Sequence, residues 1–189
     1  MFLQSTSKKL LDFAGWSLRP SPPDSAQYVL LGAHHTSNWD FPLALLGMRA
    51  MGIPFHWVAK HTMFFWPLGV VFRTLGGVAV DRSAAHGFVD EAAALFSTNE
   101  RLVLAIAPDG TRSKVRFWKT GFYQIASKAE VPIAFGYLDY KTKTIGIAEG
   151  IKASGIIEND MPVIREFYCN VQAKYQDRVS DMALRSEIE

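Results

Sequence analysis

A chain of 189 residues that is 49% hydrophobic and 13% aromatic is long enough to fill one core and excludes a disordered segment. A net charge of +2 is too weak to argue for a nucleic-acid partner. The single cysteine, Cys169, excludes an internal disulfide and fits a reducing compartment.

Residues 1–18 carry Leu10, Leu11, Phe13, Ala14 and Trp16 beside Lys8 and Lys9, without the long apolar run or cleavage pattern of a secretory signal. They predict a short amphipathic helix, able to dock on the domain or to lie in a membrane interface. Pro20-Ser-Pro-Pro23 reads as a stiff connector. A strand at 27–33 then leads to a helix at 41–51, which tolerates Pro42 in its first turn. Strands follow at 54–59 and 77–80, then a helix at 84–97, a strand at 101–107 and a helix at 120–129. Two more strands, 131–138 and 143–148, precede a last helix at 160–175. Asp160 is its expected cap, Pro162 falls in its first turn and Cys169 in its interior. This alternation predicts an α/β fold: a single layered domain over 1–189 with a mostly parallel central sheet flanked by helices. The apolar runs at 41–48 and 63–72 end at Arg49 and Arg73, short of the ~18 apolar residues a spanning helix needs.

The most informative segment is His35-Thr-Ser-Asn-Trp-Asp40, at the end of the first of these strands. Chain reversal over 36–39 would return the Asp40 carboxylate to the His35 ring. There it fixes the tautomer and stabilises the imidazolium, leaving the other ring nitrogen to take a proton from a hydroxyl. The plain alternative is a capping aspartate beside a buried histidine. His34 should face the other side of the strand and is read as structural.

Three further segments leave strand ends or open a helix. Arg82 stands at the exit of the strand at 77–80, with Asp81 beside it. Asp109-Gly110-Thr111-Arg112 form a tight polar turn after an apolar strand. Lys119 precedes the helix at 120–129, whose N-terminus also favours an anion. Two arginines at two strand exits, with a His/Asp pair at a third, point to a convergent site for an anionic ligand. Each has a plain alternative: an Arg82–Asp81 surface pair worth at most ~1 kcal/mol, a bare turn, a solvated lysine. The five histidines (His34, His35, His56, His61 and His86) form no ligand pair with a carboxylate at helical spacing, so no metal is demanded.

Taken in order, His35–Asp40, Gly77–Arg82, Pro108–Ser113 and Val131-Pro132-Ile133 resemble the four ordered blocks of the glycerolipid acyltransferases. That family includes the 1-acylglycerol-3-phosphate acyltransferases. The resemblance covers residues 26–140, and Lys60 and Trp118–Phe122 look like positions of small bacterial members. It implies a glycerol-3-phosphate acyltransferase-like fold and transfer of a fatty acyl group from acyl-CoA or acyl carrier protein to the hydroxyl of a lysophospholipid. The first acceptor it suggests is 1-acylglycerol-3-phosphate. It also implies His35 as general base and Asp40 as its orienting partner. Arg82, Asp109, Gly110, Thr111 and Arg112, with Lys60 and Lys119, would bind substrate, and Val131–Ile133 would belong to the acyl or acceptor pocket. No cofactor beyond the acyl donor is implied. The third block carries Asp109 where the family usually has Glu, keeping the charge on a shorter side chain.

The same resemblance implies a cytoplasmic protein, peripheral on the inner face of the membrane, with part of Met63–Phe72 as an apolar surface toward lipid. Rival readings are another lysolipid or glycolipid acceptor, a non-catalytic lipid-binding protein on the same fold, and a hydrolase that turns the base on water. No nucleophilic Ser elbow supports the hydrolase. Backbone N–H groups after His35 or in the 109–113 turn are the candidate oxyanion donors.

Overall fold

The run Gln27–Gly32 is apolar at every interior position and is buried on both faces, as a strand in the middle of a covered parallel sheet must be. The computed structural model describes residues 2–80 and 85–187. In chain order its elements are α1 (Phe2–Phe13), β1 (Ser17–Pro20), β2 (Gln27–Gly32), α2 (Asp40–Met51), β3 (Phe55–Lys60), α3 (Leu68–Thr74) and β4 (Gly77–Val80). There follow α4 (Ala85–Thr98), β5 (Leu102–Ile106), α5 (Gly121–Ala129), β6 (Ile133–Asp139), β7 (Thr144–Ile151) and α6 (Ile157–Tyr168).

The seven strands form one sheet in the order β1-β7-β6-β2-β5-β3-β4. All neighbours are parallel except β6 and β7. Side-chain alternation along β2 divides the core. Val29 and Leu31 face a layer containing Phe96 of α4, Phe122 and Ile125 of α5, and Met161, Ile164 and Tyr168 of α6. Tyr28 and Leu30 face the other layer, with Leu11 of α1, Met48 of α2 and Ile145 and Ile147 of β7. Each fully buried Leu or Ile contributes roughly 1.5–3 kcal/mol.

The expected mostly parallel α/β sheet is present, with several local differences. The N-terminal helix ends at Phe13 and docks through Leu11, leaving Leu3, Leu10 and Phe13 exposed. Residues 17–20, expected as part of that helix and a connector, form the edge strand β1. Pro20 is tolerated because it closes an edge strand, where an N–H is dispensable. A seven-residue helix, α3, overlaps the end of the apolar stretch 63–72, for which the sequence predicts no element. The last helix spans 157–168 rather than 160–175. Its cap position is Ile156, and Pro162 lies beyond the first turn. Asp160 instead accepts hydrogen bonds from the Ser154 N–H at 2.8 Å and the Tyr123 hydroxyl at 2.6 Å. The helix stops because the Asn170 side chain donates to the Glu166 carbonyl at 2.9 Å, supplying the bond a continuing turn would have made. Cys169 is therefore an exposed residue just past the helix, not part of its interior. None of the described helices is long and apolar enough to cross a membrane.

Candidate active site

β2, β5, β3 and β4 run parallel, so their last residues, Gly32, Ile106, Lys60 and Val80, all point to the same edge of the sheet. β2 lies where the order reverses, between β5 and β6, the position at which open parallel sheets bind ligands. Two contacts from Tyr168 fix the end of β2. Its fully buried hydroxyl donates to the Leu31 carbonyl at 2.6 Å, and its own carbonyl accepts from His34 Nε2 at 3.1 Å. A carbonyl only accepts, so His34 carries its proton on Nε2 and leaves Nδ1 bare. Burial, opposed by that hydrogen bond and by the Asp109 charge, lowers the His34 pKa. His34 is a buried neutral anchor, turned toward α6.

His35 turns toward α2. Its Nδ1 lies 3.2 Å from Asp40 Oδ2, and its side chain keeps 24% exposure against 7% for Asp40. The same Oδ2 accepts the N–H groups of Thr36 at 2.9 Å and Ser37 at 2.8 Å. Oδ1 accepts the hydroxyl of Tyr140 at 2.7 Å. Burial alone would raise the Asp40 pKa, but the hydrogen bonds from His35, Tyr140 and Ser37 outweigh it and hold the carboxyl below its ordinary value. The Tyr140 hydroxyl is pushed up by burial and by donation to this carboxylate, so it remains a donor. An ionised Asp40 only accepts. His35 Nδ1 therefore carries a proton, and in the neutral ring the lone pair falls on Nε2, the arrangement a general base requires.

The other expected site residues are placed as follows. Asp109 is buried, its Oδ1 without a hydrogen-bond partner among the described residues, and its charge acts on His34. Gly110, Thr111 and Arg112 form the exposed rim of the turn above it, with Gly110 at φ +63°. Lys119 joins them: its main-chain N–H donates to the Pro108 carbonyl at 3.0 Å. Its Nζ lies 3.0 Å from where a Cβ on Gly110 would stand. Lys60 ends β3 at the same edge of the sheet. Arg82 lies outside the described residues. Val131 and Ile133 are buried at the start of β6, where Ile133 pairs with Val29, and belong to the core on the α5 and α6 side of the sheet. Thr36 and Ser37 donate to Asp40, which removes their amides as oxyanion donors.

A family model described as Acyltransferase matches residues 19–134, which contain all of these blocks. The chain belongs to the acyltransferase family. Among solved structures, this acyltransferase resembles the crystal structure of the 1-acyl-sn-glycerophosphate (LPA) acyltransferase PlsC from Thermotoga maritima. The two share 19% identity and a TM-score of 0.59 over 90% of this chain and 80% of the other, a likeness of fold. No curated protein sequence matches.

Two parts of the acyltransferase site were not foreseen in the sequence. Tyr140 comes from the β6–β7 turn, and the segment after α6 reaches the His35 loop through the Tyr175 N–H, 3.4 Å from Thr36 Oγ1. Neither carries a local signal, because each is defined only by a contact with residues at least 100 positions away.

Proposed function

We propose that this acyltransferase moves a fatty acyl group from a thioester, on coenzyme A or acyl carrier protein, to the free hydroxyl of a lysophospholipid. The acceptor we infer is 1-acylglycerol-3-phosphate, the substrate class named for the Thermotoga maritima protein of similar fold. The observation that carries this reading is the partly exposed His35 side chain, whose Nδ1–H is held by a buried Asp40 with four donors around it.

In the proposed reaction His35 Nε2 takes the hydroxyl proton as the oxygen attacks the thioester carbonyl. The tetrahedral oxyanion collapses, the C–S bond breaks, and the departing thiolate takes the proton from the imidazolium. Asp40 stabilises that imidazolium and keeps the ring turned. General-base assistance of this kind is worth ~10²–10⁴ in rate. With Thr36 and Ser37 committed to Asp40, the 109–113 turn is the favoured source of oxyanion donors. Arg112 and Lys119 at that turn, with Arg82 and Lys60, are the proposed clamp for the acceptor's anionic group.

The enzyme is proposed to work as a peripheral protein on the inner face of the cytoplasmic membrane. Met63, Phe65, Trp66, Leu68, Val70 and Val71 are all exposed on and before α3, at the sheet edge where His35 lies, and Trp66 is 84% exposed. An aromatic and aliphatic surface beside a cation, here Arg73, suits a headgroup interface. The test is to incubate purified protein with acyl-CoA and a panel of lysolipids, following thiol release and lipid product together. Diacyl product from lysophosphatidate above the other acceptors supports the assignment. Product from a different lysolipid alone reassigns the acceptor, and thiol release without acylated lipid refutes acyl transfer.

A further inference from the structure

Among the described residues, a cation without a paired carboxylate stands beside the His35 loop. Lys174 Nζ lies 5.6 Å from the centre of the Trp39 ring, 5.8 Å from Tyr175 and 5.9 Å from Tyr140. Two of these rings are part of the site: Trp39 immediately precedes Asp40, and Tyr140 donates to it. Among the described residues no carboxylate pairs with Lys174. None pairs with Arg178 either, whose guanidinium stands 4.6 Å from the same Tyr175 ring.

Aromatic faces stabilise a cation without neutralising it and without consuming its N–H donors. The ammonium therefore keeps its charge and its three donors. Asp40, linked to this group through Tyr140, makes no ion pair with the ammonium, and its oxygens accept from His35, Thr36, Ser37 and Tyr140 instead. Trp39 is 61% exposed and Tyr175 39%, so the aromatic wall opens to solvent on its outer side. A compact lysine charge, oriented but unpaired at the rim of an active site, is suited to a phosphate.

We propose that Lys174, with Arg178 behind it, binds a phosphate monoester of the substrate and holds it while the reacting group reaches His35. The proposal rests on the acyl-transfer reading above and deepens it, adding a positive subsite from the segment after α6, beyond the residues the family model matches. The glycerol phosphate of the acceptor and the 3′-phosphate of coenzyme A present the same chemistry, and the experiment separates them.

The test compares wild type with Lys174→Met, which keeps the stem against the rings but removes the charge, and with Lys174→Arg, which restores it. Lys174→Gln stands in should the Met variant fail to fold. Binding is titrated, without turnover, for a short-chain lysophosphatidate against the matching monoacylglycerol, and for coenzyme A against dephospho-coenzyme A. The expected result is a rise of about 10-fold in Kd for one of the two phosphate ligands in Lys174→Met, recovered in Lys174→Arg. The counterpart lacking that phosphate should bind all three proteins alike, and the ligand that responds identifies the source. Unchanged Kd for both phosphate ligands, a loss shared by the phosphate-free counterparts, or a loss that arginine does not restore overturns the proposal. Wild-type binding without any acyl transfer would instead refute the acyl-transfer reading and leave the phosphate site standing.

Discussion

The Tyr140 hydroxyl donates to Asp40 Oδ1 at 2.7 Å across 100 residues of chain, tying the β6–β7 turn to the His35 loop. With Oδ2 taken by His35 and two backbone amides, the carboxylate is braced on both oxygens and cannot rotate away from the imidazole. Orientation of the proposed base therefore depends on a residue in the turn after β6, the strand beside β2, and it can be perturbed without touching His35.

Tyr140→Phe removes one donor from a buried charge and should cost about 1.5–3 kcal/mol of stability, read from denaturant unfolding. On the proposed mechanism kcat falls by roughly 10-fold while acceptor KM holds, because substrate contacts are intact. A fall in KM-dependent terms alone would mean that Tyr140 touches substrate rather than Asp40.

Asp40 titrates below its unfolded value of 3.8, so its hydrogen bonds contribute stability that is complete above about pH 4. That stability is lost as pH falls through the lower folded-state pKa. The difference in unfolding free energy between wild type and Asp40→Asn should shrink as pH falls below about 4. A difference that widens as pH falls below about 4 contradicts the assigned direction.

Gly110 holds φ +63° at the rim of the turn. Gly110→Ala places a Cβ in the left-handed region, at a cost of about 1–2 kcal/mol. It also displaces Lys119, whose Nζ lies 3.0 Å from that position, though a lysine end can yield. Lower thermal stability with a raised acceptor KM is expected, and Gly110→Asn should be milder because Asn tolerates that conformation.

Trp66→Ala should leave the melting temperature within a degree or so, since the ring is 84% exposed. Flotation with anionic phospholipid vesicles should drop, and full retention of vesicle binding would remove this surface from the proposed membrane contact.

How far the sequence could be read follows from where its signals are local. β2, β4 and β5 were legible because continuous apolar runs between turn residues have few alternatives, and β4 matches its expected bounds. The His35–Asp40 contact was legible because both partners lie in one short loop. β1 was not: Ser17–Pro20 is short and polar, and becomes a strand only because β7 offers it an edge. The last helix was drawn too long because Val171 keeps the helical spacing of Ile164, Phe167 and Tyr168, although it is buried from the segment beyond the helix. Asp109, expected in a tight polar turn among the substrate-binding residues, is buried beneath that turn. Tyr140 and Lys174 are single residues in polar stretches, and nothing nearby marks them.

The most direct measurement is acyl transfer by His35→Ala beside wild type, with coenzyme A thiol and diacyl lipid followed in the same reaction. Wild type should release thiol in step with lipid product, and the variant should keep its fold while losing at least ~100-fold in turnover. Near-normal transfer by His35→Ala would contradict the account.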